Sequence, residues 1–369
     1  MRLIFTWLLV TVALIQPGAA EAVREPVPTA DEMRVFLTKR PEMDEIRWKD
    51  RDRGSLQVRI LRVNETEVDL EKTVQNRVAS HKLPLADLAG VSFVFAPLEQ
   101  RLIRNPSAEA EPALRVVWEA RKATLGMETS NVAHVGLALA KALRMRGDAA
   151  AFEEAESILD LLRDKEPSSH RLEAARHEME TLQLARAMAS SSPEEIDEAA
   201  WKMTERDENT EGMLLATAWL AGRHFEDLKR LDEEHPRWDE DEEVRPLRLR
   251  LYNLSLDFAL YPSLFHGTRE KEASEGLKQA WRVYQYSKSP QLALYALEDL
   301  AALYPDSQAA VDTADELARV RQREAAGQLE DEEAAEEHSS EEGEADDGEE
   351  PQGVPKTPRQ PRRYNLFDD

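Results

Sequence analysis

The histidines are the side chains of this sequence that are best suited to metal ligation or to general acid–base chemistry. His170 and His177 are seven residues apart and can share one face of a helix, but no third ligand is evident. His177 also begins the run His-Glu-Met-Glu-Thr, which lacks the second histidine that a helical zinc motif requires. The histidines therefore predict neither a metal centre nor an acid–base pair.

Two runs of acidic residues are the other candidates for chemistry. Residues 239–243 are all Asp or Glu, and residues 324–350 contain 14 acidic and no Lys or Arg side chains. Either run can attract Ca²⁺ loosely, but neither has the glycine-punctuated spacing of a dedicated calcium loop. The sequence also has no glycine-rich phosphate loop and no Gly-x-Ser-x-Gly nucleophile turn. We therefore predict a protein that is not an enzyme and that has no cofactor or metal ion.

The overall composition narrows the classes of partner. The 369 residues include 48 basic and 73 acidic side chains, which gives a formal net charge of −25. A chain of this charge lacks the basic footprint of nucleic-acid binding, so we predict no nucleic-acid partner. The absence of cysteine excludes disulfides, thiolate metal sites and a cysteine nucleophile.

The first residues have the pattern of a secretory signal peptide. Arg2 precedes an apolar stretch at 3–15, and small residues at 19–22 supply a cleavage site. The stretch is too short to cross a hydrocarbon layer about 30 Å thick. We predict a signal peptide at 1–22, export to a bacterial periplasm or cell exterior, and no stable membrane insertion after cleavage. An uncleaved anchor is the alternative, and a linker is predicted at 23–43.

The C-terminal residues are predicted to form a disordered acidic tail at 324–369. The acidic block at 324–350 cannot bury enough apolar surface to offset its ordering entropy. A proline-rich stretch and an aromatic-aliphatic cluster follow it. A long tether that ends in such a cluster is typical of a docking motif, and the candidate partner-binding residues are Tyr364, Leu366 and Phe367. The alternatives are a tail that packs on its own domain and a tail without a role.

Alternation with a period of two predicts a small β unit at 44–97. Val58 and Ile60 alternate with polar residues, and Val68 and Leu70 do so in the next segment. Short strands of this kind leave exposed edges unless the sheet closes on itself. We therefore expect a small closed or half-closed barrel in this segment.

The β segment resembles the small SH3-like domain first described in an endocytic actin-patch adaptor. The pattern also occurs in exported bacterial proteins of the Planctomycetes and Verrucomicrobia group. The resemblance is carried by Trp48, the turn at Gly54, Val68-x-Leu70 and the step Leu83-Pro84-Leu85-Ala86-Asp87-Leu88. It implies an SH3-like barrel, either as a peptide-binding domain or as a packing module for the segment that follows.

From residue 107 to residue 323 the dominant period is 3.6, which predicts a series of helices. The links are short, so successive helices are expected to lie antiparallel as helical hairpins. The predicted helices span 109–123, 131–146, 149–164, 169–190, 194–206, 210–222, 224–234, 242–261, 269–287, 290–304 and 307–326. The tryptophans predicted to lie in the helical core are Trp118, Trp201, Trp219 and Trp281.

The helical segment resembles the tetratricopeptide family of 34-residue helix-turn-helix repeats. One match places large, small and turn positions at Leu139-Ala140, Leu143 and Gly147, with three extra residues at 148–150 in the turn. Its second helix matches at Phe152, Ala155, Leu159, Leu162 and Pro167, and a later match falls at Ala293, Leu297, Leu300 and Pro305. Gly222-x-x-Phe225 is a partial, short match. The resemblance implies an array of hairpins that presents a concave surface to a peptide or protein.

These predictions combine into a functional hypothesis. A small β barrel at 44–97, a tetratricopeptide-like array at 107–323 and an acidic tail make an exported, non-catalytic scaffold for protein–protein interaction. The array is expected to hold one protein or peptide partner, while the tethered motif raises the local concentration of a second. The alternative is a cell-envelope module whose barrel binds a glycan or wall component, with the helices as a spacer.

Overall fold

The computed structural model describes most of the chain between residues 26 and 327; the residues in this range that it leaves out are Glu42, Asn76, Glu128 and Asp207. The described residues form twelve α-helices and one small antiparallel sheet near the N-terminus. The prediction of a mainly helical protein with a small β unit is therefore confirmed. The predicted signal peptide at 1–22 and the predicted tail beyond residue 327 lie outside the described residues. The chain divides into two units, residues 1–223 and 224–369.

A helix precedes the sheet, inside the segment that was predicted as a linker. Helix α1 spans Ala30–Lys39 and begins at a capping box, in which the Thr29 side chain accepts from the Glu32 backbone N–H and the Glu32 carboxylate accepts from Thr29. The reciprocal bonds satisfy backbone donors that a helix start otherwise leaves open. Met33 and Leu37 are buried, so the helix packs its apolar side on the core.

The sheet has five strands in the order β4-β3-β2-β1-β5, and each neighbouring pair is antiparallel. Strands β4 and β5 stand at the two edges, so the described strands form an open sheet, whereas a closed or half-closed barrel was expected. Strand β4 is exposed or half-buried at every position and carries Arg77 and Lys82, charged residues of the kind that protect an open edge. The strands span Asp44–Trp48 (β1), Ser55–Val63 (β2), Glu67–Val74 (β3), Arg77–Pro84 (β4) and Leu88–Ser92 (β5).

The predicted alternation is confirmed in the two central strands, except for one bulge. Val58, Ile60, Val68 and Leu70 are all buried. In β2 the register moves between Ile60 and Arg62, because Ile60 pairs with Leu70 and Arg62 pairs with Asp69. Leu61 is thus an extra residue in the ladder. A bulge of this type bends the strand and changes the direction of the side chains next to it.

The first unit continues with helices, and those between residues 97 and 190 contribute side chains to one hydrophobic core with the sheet. Helix α6 packs against both α4 and α5, the arrangement expected when one helical hairpin follows another. Asp148 lies in the three-residue insertion noted in the sequence, and its side chain accepts from the Ala151 backbone N–H at the start of α5. The helices are α2 (Pro97–Arg104), α3 (Glu111–Arg121), α4 (Ala133–Arg146), α5 (Ala149–Lys165), α6 (Ser169–Ser190) and α7 (Pro193–Thr204).

Helix α8 is continuous from Thr210 to Glu234, so the prediction of separate helices at 210–222 and 224–234 is wrong. Gly222 suggested a turn between them. Glycine in a helix interior costs only about 1 kcal/mol relative to alanine, which the rest of a long helix can absorb. A Cβ at Gly222 would meet no atom within 4 Å, so no close contact explains this glycine.

The second unit consists of packed helices in its described residues. Helix α10 packs against α9, α11 and α12, and α11 also packs against α12. At Gly276 the α10 backbone comes so close to α9 that an added Cβ would lie 2.3 Å from the carbonyl oxygen of Ala259. The helices are α9 (Val244–Phe265), α10 (Glu270–Tyr286), α11 (Pro290–Leu303) and α12 (Gln308–Ala325).

The tryptophans divide into buried and accessible side chains. Trp118 is buried, as predicted, whereas Trp201 is 41% exposed and is not a core residue. Trp219 is half-buried and donates its indole N–H to Asp197, while Trp281 is half-buried against the α11–α12 core. Among the described residues, no helix has the length and apolarity of a membrane-spanning segment.

Candidate functional site

The first unit contains an open cleft of about 710 Å³ between α1, the bulged end of β2, and α3. Its floor is apolar and its walls carry charged side chains. Four arginines and two glutamates line it, in a protein whose net charge is strongly negative. We call it the arginine cleft; its lining residues are Ala30, Arg34, Leu37, Thr38, Leu61, Arg62, Glu111, Pro112, Arg115, Val116, Glu119, Ala120 and Arg146.

Helical spacing brings the floor of the arginine cleft together. Ala30 and Leu37 lie about two turns apart on α1, and Pro112 and Val116 lie four residues apart on α3. Residues this far apart project from the same side of a helix. Leu61 completes the floor from the sheet, and it reaches the cleft at the bulge described above.

Two arginines of the cleft are held in place by carboxylates. Arg115 donates from Nε to Glu111 at 2.7 Å and from Nη2 to Glu154 at 2.7 Å. Arg146 donates from Nε to Asp148 at 2.6 Å and from Nη1 to Glu111 at 3.0 Å. The hydrogen bond to Glu154 raises the pKa of Arg115, and the one to Asp148 raises the pKa of Arg146. These two guanidinium groups form a fixed wall.

The other two arginines stand at the rim of the arginine cleft. The Arg34 side chain is 64% exposed and its ion pair is with Asp31, a neighbour on the same helix that is itself exposed. Exposed pairs of this kind contribute about 0–1 kcal/mol and are screened by salt. Arg62 is exposed and makes no hydrogen bond or ion pair with any residue that the structure describes. Both side chains are therefore free to take up an incoming anion.

The lining of the arginine cleft has few side chains that could take part in chemistry. It contains no histidine, and Thr38 supplies its single side-chain hydroxyl. Of the two carboxylates, Glu111 is engaged by Arg115 and Arg146, while Glu119 pairs with Lys122 at the exposed edge.

Four buried charges of the first unit lie outside the cleft, at the junction of the sheet with α2 and α3. Glu99 accepts from Arg40 Nη1 at 3.3 Å and from Arg121 Nη2 at 2.5 Å, and Arg40 also pairs with Asp44. All four side chains are at most 2% exposed. Burial raises the pKa of Asp44, against the attraction of Arg40. This group of four, the junction network, has no access for a ligand and holds structural elements together.

A second charged network joins α4, α6 and α8 within the first unit. Arg144 donates from Nε to Glu178 at 2.7 Å and also bonds Glu211, while Lys141 bonds Glu211. Burial raises the pKa of Glu178. Burial alone would also raise the pKa of Glu211, but the attraction of Lys141 and Arg144, with their hydrogen bonds, outweighs it and lowers that pKa. The two pKa values shift in opposite directions because the Glu178 side chain is only 2% exposed, so burial prevails there, whereas the Glu211 side chain is 30% exposed.

His177 lies close to two carboxylates that were not evident as ligands in the sequence. Ligand atoms of Glu173, His177 and Glu208 lie within 4.8 Å of one another. The guanidinium of Arg176 already occupies the position between two of them, with Nη2 at 3.1 Å from His177 Nε2 and 3.3 Å from Glu208. The cluster is therefore a solvated ion pair around Arg176. His170 is not part of it.

The acidic run at 239–243 forms the link before α9. Asp241 accepts from the backbone N–H groups of Glu243 and Val244, which is the role of a helix-capping residue. All five residues of the run are exposed. The predicted partner-binding residues Tyr364, Leu366 and Phe367 lie outside the described residues.

Sequence reasoning missed the arginine cleft. Its residues come from four elements, α1, β2, α3 and the end of α4, and no local motif links them. Two local signals were present in β2: Leu61 interrupts the alternation, and the apolar positions Ile60 and Val63 are three residues apart. Together they indicate a bulge, and bulges are common beside functional sites.

Comparison with known proteins gives no relative for this chain: no protein-family model matches it, and neither curated proteins nor solved structures show significant similarity to it.

Proposed function

We propose that this protein is an exported, non-catalytic scaffold that binds partner proteins through short segments. The observation that carries the proposal is the arginine cleft: an open cleft with an apolar floor, two arginines bonded to carboxylates, two exposed rim arginines, and no histidine in its lining. Pockets that bind peptides combine an apolar surface with a few placed polar groups in this way. Asp44 and Glu178, two buried carboxylates whose pKa is raised, are engaged in ion pairs outside the cleft.

The helical body supports a more specific proposal, that of a tetratricopeptide-like array. The positions that carried the resemblance are buried where hairpins pack: Leu139, Ala140, Leu143, Phe152, Ala155, Leu159, Leu162, Ala293, Leu297 and Leu300. Gly147 ends α4 with a left-handed conformation (φ 77°), as a turn glycine does. In both units one helix contacts the next two along the chain, which is the packing of successive hairpins.

Export and the second docking site belong to the same proposal. The N-terminal pattern at 1–22 supports export to the periplasm or cell exterior. The cluster Tyr364, Leu366 and Phe367 follows a long acidic and proline-rich stretch, which supports tethered binding of a second partner. The SH3-like resemblance of 44–97 supports a role for the sheet in peptide binding, since β2 supplies Leu61 and Arg62 to the cleft.

Site-specific photo-crosslinking in the native host tests this proposal. A benzophenone amino acid replaces Glu119 in the cleft or, as a matched control, Glu173 on α6; the two glutamates are 54% and 52% exposed. We expect a defined partner protein, crosslinked through one segment, from position 119 and not from position 173. Equal adducts from both positions, or none from position 119, would contradict a binding role for the cleft.

A further inference from the structure

We propose that the partner segment of the arginine cleft is acidic: an extended stretch with carboxylate side chains on either side of one or two large apolar residues. Arg34 and Arg62 receive the carboxylates, and the floor formed by Leu37, Leu61 and Val116 receives the apolar side chains. The inference rests on the proposed function, because it names the chemistry of the segment that the scaffold binds.

Charge complementarity identifies carboxylates as the groups that the rim recognises. The two wall arginines are already paired with Glu111, Glu154 and Asp148, so the positive charge available to a ligand is that of the two rim arginines. Arg34 has only an exposed pair with Asp31, and Arg62 has no partner among the described residues. A guanidinium binds a carboxylate through two parallel hydrogen bonds, which is the strong, charge-assisted form of the interaction.

The apolar floor indicates that the ligand of the cleft is a protein segment and not a polyanion. Ala30, Leu37, Pro112 and Val116 have no polar side-chain group to offer to a ligand. Burying an apolar side chain on this floor contributes roughly 25 cal/mol of favourable binding free energy per Å² of apolar surface removed from water. A sugar–phosphate chain has no such side chain to bury. A long nucleic acid or an anionic membrane would also face a chain with a formal charge of −25. A short acidic peptide meets the local arginines with little of this repulsion.

The fixed wall has a separate role in this arrangement. Arg115 and Arg146 are bonded to Glu111, Glu154 and Asp148, so their charge is locally compensated and their bonds hold the α3 side of the cleft in place. The rim arginines make the direct contacts. Substitutions at the rim should therefore change binding while leaving the fold intact, because neither rim side chain is buried or bridges two elements.

Fluorescence anisotropy of the full chain tests the inference. The probe is a labelled peptide of about ten residues with leucine and phenylalanine at its centre and aspartates on both sides, and its partner probe has asparagine for every aspartate. A single-stranded oligonucleotide and vesicles of anionic phospholipid are the other two probes. We expect binding of the aspartate peptide that weakens about tenfold when NaCl rises from about 50 to about 300 mM, and at least about tenfold weaker binding of the other probes.

The variant R34Q/R62Q tests how much the two rim arginines contribute to peptide binding. We expect it to weaken binding of the aspartate peptide by at least about tenfold at low salt, because two charge-assisted contacts are lost. The matched control R53Q/R163Q removes two exposed arginines that also have acidic neighbours but lie outside the cleft, and it should bind like the unaltered chain. Circular dichroism spectra that match the unaltered chain confirm the fold of both variants.

Three results would overturn the inference: equal binding of the asparagine peptide, tighter binding of the oligonucleotide or vesicles, or equal loss in R34Q/R62Q and R53Q/R163Q. Its failure can be distinguished from failure of the proposed function. If crosslinking at position 119 captures a partner segment that is not acidic, the scaffold role stands and the proposed chemistry is wrong. If no partner crosslinks there, the scaffold role of the cleft itself is wrong.

Discussion

The junction between the sheet and α3 and the core of the second unit are both buried, but they are stabilised by different interactions. At the junction four charged side chains, Arg40, Asp44, Glu99 and Arg121, lie out of reach of solvent and bond one another. In the second unit the described core clusters consist of Ala, Leu, Val and Tyr side chains from adjacent helices. Helix α10 approaches α9 so closely at Gly276 that only a hydrogen fits.

The two regions differ in what determines the positions of their elements. At the junction buried ion pairs do so at a cost in desolvation, whereas in the second unit apolar side chains at helical spacing do so. A buried ion pair gains little over apolar packing, because desolvation offsets the Coulomb attraction, but removing one partner leaves a charge stranded. Arg121 is the extreme case: burial lowers its pKa, and its guanidinium lies over the ring of Phe93 at 4.6 Å. Apolar helix packing tolerates small changes better and fails mainly when backbones are forced apart.

We expect the largest loss of stability when Glu99, the carboxylate shared by two arginines of the junction network, is removed. Glu99→Ala leaves Arg121 without its hydrogen-bonded acid and Arg40 with only one. We expect it to lower the free energy of unfolding by about 3–5 kcal/mol, measured by urea denaturation followed by tryptophan fluorescence. Glu119→Ala, on the exposed face of α3, should cost at most about 1 kcal/mol. Similar losses for both variants would show that the junction network contributes no more than a surface pair.

The next largest loss of stability is expected at the close contact between α9 and α10 in the second unit. Gly276→Ala places a methyl group 2.3 Å from the carbonyl oxygen of Ala259, so the helices must separate. We expect a loss of about 1–3 kcal/mol, read from the circular dichroism signal in urea. Gly222→Ala is the matched control: it lies within a helix with no atom near the new methyl group, and it should stabilise by about 0.5–1 kcal/mol. The same sign for both variants would contradict the packing described for α9 and α10.

A smaller effect is expected at the start of α7. The Ser192 hydroxyl accepts from the Glu195 backbone N–H, and the Glu195 carboxylate accepts from Ser192 in return. Ser192→Ala removes the first bond and should cost about 1 kcal/mol in the free energy of unfolding. Ser192→Asp restores an acceptor at the same position and should recover most of that loss; no recovery would mean that the cap is not formed in solution.

The smallest predicted effect concerns two carboxylates that share Arg144. The pKa of Glu178 is raised above its ordinary 4.5 and that of Glu211 is lowered below it. The contribution of Glu178 to stability is therefore present below pH 4.5 and is lost as the pH rises through its folded pKa. The contribution of Glu211 is present above pH 4.5 and is lost as the pH falls through its folded pKa.

Carboxyl carbon-13 shifts followed by NMR during a pH titration measure both groups separately. Glu178 should titrate at higher pH than Glu211. In Glu211→Gln the pKa of Glu178 should fall, because a like charge is removed and Lys141 and Arg144 are left to it. The same titration midpoint for both groups in the unaltered chain, or a rise for Glu178 in the variant, would contradict the assignment of charges in this network.

The helical part of the fold was predictable because its signals are local. Helices α4 to α6 and α10 to α12 match the predicted spans within a few residues, since apolar periodicity, short links and capping residues such as Ser192 can all be read from neighbouring positions. Helix α8 was wrongly predicted as two helices because Gly222 was taken as a turn signal. The surrounding helix is long enough to contain a glycine.

The sheet and the candidate site were less predictable because they depend on pairs that are distant in sequence. Whether β4 closes onto β5 depends on edge pairing that alternation alone does not determine, and the sheet is open. Arg40 and Glu99 are 59 residues apart, and nothing in the residues around either one indicates the other. The cleft combines α1, β2 and α3 in the same non-local way, so its arginines look like ordinary surface residues in the sequence.

Hydrogen–deuterium exchange of the full chain, with and without the purified partner captured at position 119, tests the central claim most directly. If the arginine cleft is the binding site, exchange slows in 30–38, 60–63 and 112–120 when the partner is present, and R34Q/R62Q removes this protection. Protection confined to other segments, for example α11 with its exposed Leu292 and Tyr295, would contradict the account.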